Sequence, residues 1–184
     1  NHSELFELLK TLQKKKVILF GVSFALLDFL EFLKSKEMES LPPFGGTGAI
    51  IETGGMKCRK AEMTKDELLK ILQKGFGTDK IFSEYSMTEL LSQAYSLGEN
   101  IYESPNWMRI LIRNTEDPFS YVENGRTGAI NIIDLANRHS CSFIATQDLG
   151  TLRQAQDSKS IHPAFSVVGR IDHSDIRGCS LLVV

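Results

Sequence analysis

The chain has 184 residues, 42% hydrophobic and 24% charged, and its 21 basic against 23 acidic side chains leave a net charge of −2. These are the proportions of an ordinary globular chain able to bury a core. With no basic run beyond Lys14-Lys15-Lys16, they exclude a nucleic-acid partner held by bulk charge. Three cysteines without CxxC spacing, Cys58, Cys141 and Cys179, argue against a disulfide framework or a zinc site and for a reducing, cytoplasmic setting. The longest apolar run, from Val17 to Leu27, is interrupted by Gly21 and Ser23 and is too short to cross a bilayer. The first residues lack a signal-peptide pattern, and the start at Asn1 rather than Met points to a processed or shortened polypeptide.

In chain order, residues 16–21 read as a short strand, and Ser23 can cap a helix with Phe24, Leu27, Leu30 and Leu33 on one face. Pro42, Pro43, Gly45 and Gly46 impose a loop. Residues 49–53 form a second strand ending at Gly54-Gly55, and Thr64-Lys65-Asp66-Glu67 is a capping-box signature before a helix over Leu68–Leu72. Residues 81–85 form a third strand and residues 87–94 a third helix. Three strand-helix units imply a parallel-type sheet with covering helices over residues 1–100. From 101 to 184 helical periodicity fades. Residues 107–113 and 128–134 alternate, residues 142–146 and 165–171 are further short strands, and Asp117-Pro118, Asn124-Gly125 and Asp157-Ser158 mark turns. The second part is therefore expected to be a smaller antiparallel, β-rich, barrel-like subdomain, and the whole an α/β protein.

Chemistry concentrates at strand ends. Gly54 and Gly55 let backbone approach a flat ligand at the sheet edge where open α/β sheets bind, although an isolated Gly-Gly is more often a tight turn. At the next strand end Tyr85 can stack on a purine, Thr88 can bond a phosphate oxygen, and Glu89 can reach a magnesium ion on the phosphates. The ordinary roles here would be Tyr85 as a core aromatic, Ser86 as a helix cap and Glu89 as a favourable first-turn acid. Asp148 suits the two hydroxyls of a ribose because a carboxylate accepts in two directions, and Arg170 can reach the ribose or a phosphate. A turn aspartate and a surface cation are the bland alternatives.

The order of these pieces resembles a known family. Glu84-Tyr85-Ser86-Met87-Thr88-Glu89 is similar to the Y-G-x-T-E motif of acyl-adenylate-forming enzymes, with Ser86 in place of Gly. Thr146-Gln147-Asp148-Leu149-Gly150 resembles R-T-G-D-L, and Gly169-Arg170-Ile171-Asp172 with Arg177-Gly178 resembles the G-R-x-D…R-G hinge. Gly125 to Ile130 with Asp134-Leu135 resembles the segment before the aspartate. Together with Glu52-Thr53-Gly54-Gly55-Met56-Lys57, the set is most similar to LuxE-type acyl-protein synthetases, with phenylacetate-CoA ligases next.

The resemblance implies the C-terminal part of a ligase that uses ATP and Mg²⁺ to activate a fatty acid and then acylates a protein thiol, in concert with an acyl reductase and a thioesterase in bioluminescent bacteria. It implies that Gly54 and Gly55 flank the adenine, Tyr85 stacks on it, Thr88 holds phosphate, Glu89 serves magnesium, and Asp148 and Arg170 hold the ribose. Cys179 is the acyl-accepting thiol that the resemblance points to, beside Arg177, whose charge favours a thiolate, and its bland alternative is a small residue packed in a terminal strand with Leu181, Leu182 and Val183. Cys141 leads into an apolar strand, where a small buried thiol is expected. A glycine-, serine- and threonine-rich phosphate loop does not occur in these 184 residues, so the chain alone is expected to be inactive. The alternatives are a fragment of an acyl-CoA synthetase and a noncatalytic nucleotide-binding or interaction domain.

Overall fold

In the computed structural model, residues 1–12, 15–36, 48–54, 65–96, 98–154 and 161–171 are described. The chain forms two compact units, Asn1–Ser83 and Glu84–Val184. The second starts earlier than the loss of helical periodicity near residue 100, because a short strand at Ala94–Ser96 already pairs antiparallel with Tyr102–Glu103.

The first unit holds α1 (His2–Thr11), β1 (Ile18–Val22), α2 (Ser23–Ser35), β2 (Ala49–Thr53), α3 (Lys65–Phe76) and β3 (Ile81–Tyr85), whose last two residues belong to the second unit. β1 and β2 are parallel, in register from Ile18↔Ala49 to Val22↔Thr53, and β3 lies on the other side of β2, where the Ile50 N–H donates to the Lys80 carbonyl at 2.9 Å. Leu26, Leu27, Phe29, Leu30 and Leu33 bury the inner face of α2 against Leu68, Leu69, Leu72 and Phe76 of α3, with Ile50 and Ile81 beneath. Each such side chain stabilises by roughly 1.5–3 kcal/mol on burial. Gly75 lets the two helices close: a Cβ there would meet Leu30 Cδ1 at 2.5 Å.

The strand-helix alternation of residues 16–85 is as the sequence implies, with α3 longer than Leu68–Leu72. Thr64 of the capping box and the loop at residues 42–46 lie outside the described residues. Helix α1 was not expected; Phe6 and Leu9 join the same core.

The second unit contains β4 (Ala94–Ser96), β5 (Tyr102–Glu103), β6 (Met108–Arg113), β7 (Gly128–Asp134), β8 (Phe143–Arg153) and β9 (Ala164–Arg170). They lie in the order β4-β5-β9-β8-β7-β6, and every neighbouring pair is antiparallel. Tyr85, Leu90, Tyr102, Met108, Ile110, Ile112, Ile130, Ile132 and Phe165 form its core. Asn124-Gly125 makes the expected turn, Gly125 at φ 85°, while Asp157-Ser158 lies outside the described residues.

The helix expected over residues 87–94 is absent: Thr88 and Glu89 form a turn, and β4 begins at Ala94. The reason is tertiary. The N–H groups of Leu91 and Ser92, which a helix would direct to preceding carbonyls, both donate to Oδ2 of Asp134, at 3.0 and 2.9 Å. Cys141 is exposed, not buried, because it precedes β8 at a point where Phe143 is exposed as well.

Candidate functional site

Three of the residues singled out in the sequence meet within the second unit. The register of β8 with β9 sets Asp148 opposite Arg170. The Tyr85 hydroxyl donates to Asp148 Oδ2 at 2.8 Å, and Arg170 Nε lies 3.6 Å from Oδ1. Gln147, where the resembled motif has glycine, accepts from Arg170 Nη2 at 2.9 Å, and its carbonyl takes the Ile171 N–H. Glutamine thus orients the arginine, a contribution invisible in a motif comparison.

Tyr85 is only 8% exposed and meets Tyr102 and Phe165 edge-on, with ring centres 6.1 and 5.4 Å away. Burial, and after it the adjacent Asp148 carboxylate, push its phenol well above the ordinary value, so it is a permanent donor. A carboxylate has about four lone-pair positions. With one taken by Tyr85 and a loose ion pair to Arg170, Asp148 keeps acceptor capacity for a pair of vicinal hydroxyls.

Thr88 and Glu89 stand exposed on the turn after β3. That turn is anchored from β7 and the 3₁₀ turn after it. Asn137 Nδ2 donates to the Glu89 carbonyl at 2.7 Å, and Asp134 binds the two residues that follow Leu90. Asp134 is fully buried and accepts four hydrogen bonds: the two N–H groups named, the Ser92 hydroxyl at 2.7 Å and the Ala136 N–H at 3.1 Å. Burial raises its pKa, and these four donors outweigh burial, so the carboxyl sits below its ordinary value. Trp107 extends the network by donating Nε1 to Ser92 Oγ at 3.0 Å. Asp134 and Asn137 are the positioning residues that the sequence reading did not single out for this turn. The signal available was an aspartate placed to cap Leu135–Asn137.

Gly54, in the first unit, is exposed at φ 73°, a left-handed conformation that favours glycine, and its carbonyl lies 3.2 Å from Ser23 Oγ. Beside it the buried Glu52 accepts from Ser23 Oγ at 2.8 Å and pairs with Lys65, tying the starts of α2 and α3 to the end of β2. Gly55, Cys58 and Cys179 lie outside the described residues. Among the described residues no three His, Cys, Asp or Glu side chains gather as a metal cage.

The fold has counterparts among solved structures. An open conformation of 2-hydroxyisobutyryl-CoA ligase in complex with 2-HIB-AMP and CoA matches with a TM-score of 0.66 at 14% identity, over 94% of this chain and 37% of that one. ATP-bound MatB from Rhodopseudomonas palustris matches with a TM-score of 0.59 at 14% identity, over 92% and 33%. The fold is therefore that of a portion of an adenylate-forming ligase, about a third of its length. No curated protein matches. Within that class the family is specific: the model of the LuxE acyl-protein synthetases matches residues 2–184, and the chain belongs to that family. Among the described residues no helix is long and apolar enough to cross a membrane.

Proposed function

We propose that this chain forms part of an acyl-protein synthetase that activates a fatty acid with ATP and transfers the acyl group to a protein cysteine. The single observation that carries the reading is the Tyr85–Asp148–Arg170 cluster, in which a buried phenol and an arginine flank a carboxylate with acceptor capacity to spare. Asp148 would accept from the two ribose hydroxyls, Arg170 would donate to ribose or phosphate, and Tyr85 would border the adenine. Thr88 would donate to the α-phosphate. One carboxylate on an exposed turn suits Mg²⁺, which takes one or two protein carboxylates together with phosphates and water; Glu89 would supply it.

The reaction balances in two steps. The fatty carboxylate attacks the α-phosphorus and expels pyrophosphate, giving acyl-AMP. The Cys179 thiolate then attacks the acyl carbonyl, forming a thioester as the C–O bond to AMP breaks. A reductase that consumes the thioester and a thioesterase that supplies the acid are the partners in keeping with the family, as is a long-chain aldehyde for light emission as the outcome. Preorganised donors at the phosphates supply much of the acceleration in such transfers.

The adenosine site is tested by calorimetry with an acyl-sulfamoyl adenosine, a stable mimic of acyl-AMP. Asp148→Ala is expected to weaken binding at least about tenfold, the loss of one or more charge-assisted hydrogen bonds. Undiminished affinity would overturn the assignment. For the transfer step, labelled fatty acid and ATP are supplied to the full gene product. Cys179→Ser should abolish protein-bound label while Cys58→Ser and Cys141→Ser retain it.

A further inference from the structure

Within the second unit, β7 and β8 fall out of step at one place. Ala129 pairs with Leu149 and Asn131 with Ala145, so Ile130 alone faces Thr146, Gln147 and Asp148. A bulge of this kind re-aims side chains and leaves backbone groups that the ladder does not serve. Side chains and a neighbouring strand serve them here. The buried Thr146 hydroxyl donates to the Ile130 carbonyl at 2.8 Å and accepts from the Asp148 N–H at 3.1 Å. The Gln147 carbonyl takes the Ile171 N–H at 2.9 Å. The Thr146 carbonyl accepts from Arg113 Nη2, also at 2.9 Å.

Arg113 comes from β6, and β7 lies between it and β8. Two strand spacings are about 10 Å, a gap that only a long side chain bridges. The residue opposite Arg113 on β7 is Ala129, small and fully buried, which leaves a path across that strand. Arginine is a costly way to fill this path. Its Nη1 is buried and has no hydrogen-bond partner among the described residues, and a buried donor left unpaired is destabilising. Methionine, similar in length, would cross β7 without that cost. What the guanidinium adds is one charge-assisted bond, to one carbonyl, at the root of the bulge that carries Asp148.

We infer that Arg113, acting together with Thr146, is a positioning residue of the nucleotide site: it fixes the β8 bulge and so sets the Asp148 carboxylate for two vicinal hydroxyls. The inference rests on the ribose role proposed above for Asp148. A carboxylate that receives two hydroxyls at once must be held in place and in orientation. Tyr85 and Arg170 meet its two oxygens. Arg113 and Thr146 hold the backbone from which it projects. Arg113 acts through Asp148 and makes no contact with the ligand.

The test is calorimetry on the full gene product with an acyl-sulfamoyl adenosine and with its 2′,3′-dideoxy counterpart, which lacks both hydroxyls. Arg113→Met keeps the length and removes the donors, and Arg113→Lys restores one charged donor. Arg113→Met is expected to bind the ribose mimic at least about fivefold more weakly than wild type, and Arg113→Lys within about twofold of it. The dideoxy mimic should bind all three proteins equally. Hydrogen exchange followed by mass spectrometry should show residues 145–149 of Arg113→Met exchanging at least about tenfold faster, with residues 164–168 unchanged. The thermal midpoint should move by no more than about 4 °C. Undiminished affinity in Arg113→Met, a loss shared by the dideoxy mimic, no recovery in Arg113→Lys, or a larger fall in the midpoint would each overturn the inference. If wild type binds neither mimic, the adenosine reading has failed, and exchange alone decides: faster exchange at 145–149 upholds the hold of Arg113 on the bulge, and unchanged exchange overturns it.

Discussion

Asp134→Ala removes the acceptor that replaces a helix after β3. Four donors lose their partner: the N–H groups of Leu91, Ser92 and Ala136 and the hydroxyl of Ser92. Leu91 and Ala136 are exposed and can rehydrate, whereas Ser92 is buried and leaves two donors unsatisfied. At about 1–3 kcal/mol for each stranded group, the expected loss is about 4 kcal/mol, a large part of a domain's stability. Asp134→Asn keeps one acceptor oxygen and sets an amide NH₂ where Oδ2 meets two N–H groups, for a loss of about 2–3 kcal/mol. Trp107, the only tryptophan, donates to Ser92 Oγ and reports on the network through its fluorescence.

The assay is urea unfolding followed at Trp107. Because the folded pKa of Asp134 is depressed, its contribution is fully present above the unfolded carboxylate value of about 3.9 and is lost as pH falls through the lower folded value. The gap between wild type and Asp134→Asn should therefore be smaller at pH 3 than at pH 7. A loss below about 1 kcal/mol for Asp134→Ala, or a gap of equal size at both pH values, would refute the account of the turn.

Tyr85→Phe should cost about 1 kcal/mol through the lost bond to Asp148. In the wild type the raised Tyr85 pKa contributes stability that is present below the unfolded phenol value of about 10 and declines as pH rises above it; alkaline unfolding curves of the two proteins should converge above pH 10. Gly128→Ala should destabilise by more than about 3 kcal/mol, because a Cβ would stand 2.3 Å from the Arg113 carbonyl oxygen on the paired strand, and backbone cannot yield as a side chain does; thermal denaturation measures it. Residues 1–184 alone should release pyrophosphate from ATP and fatty acid only at background rate, as they lack a phosphate loop; clear turnover would contradict this.

Residue pattern alone determined the local elements whose signals are continuous along the chain. The β1-α2-β2-α3-β3 succession follows from apolar runs bounded by Gly54, Gly77 and α2's helical spacing, and the alternation in residues 108–113 and 128–134 follows from one buried sheet face. The ordered motifs around Tyr85, Asp148 and Arg170 already pointed to the family. What tertiary structure alone decided was where competing donors and acceptors went. The Leu91 and Ser92 N–H groups could close a helix or bind Asp134, forty-odd residues away in sequence, and a buried carboxylate with four donors won. β4 and β5, three and two residues long, carry no period and exist because β9 and their neighbours offer edges to pair with. The Asp148–Arg170 apposition depends on the register of β8 with β9, which shifts at a bulge between Leu149 and Gly150. No local signal encodes a register set by two strands packing at once. The exposure of Ile18, Phe20 and Val22 on β1 belongs to the same class: these apolar residues are plain in the sequence, but that the three helices among the described residues pack against the opposite face is decided by the tertiary structure.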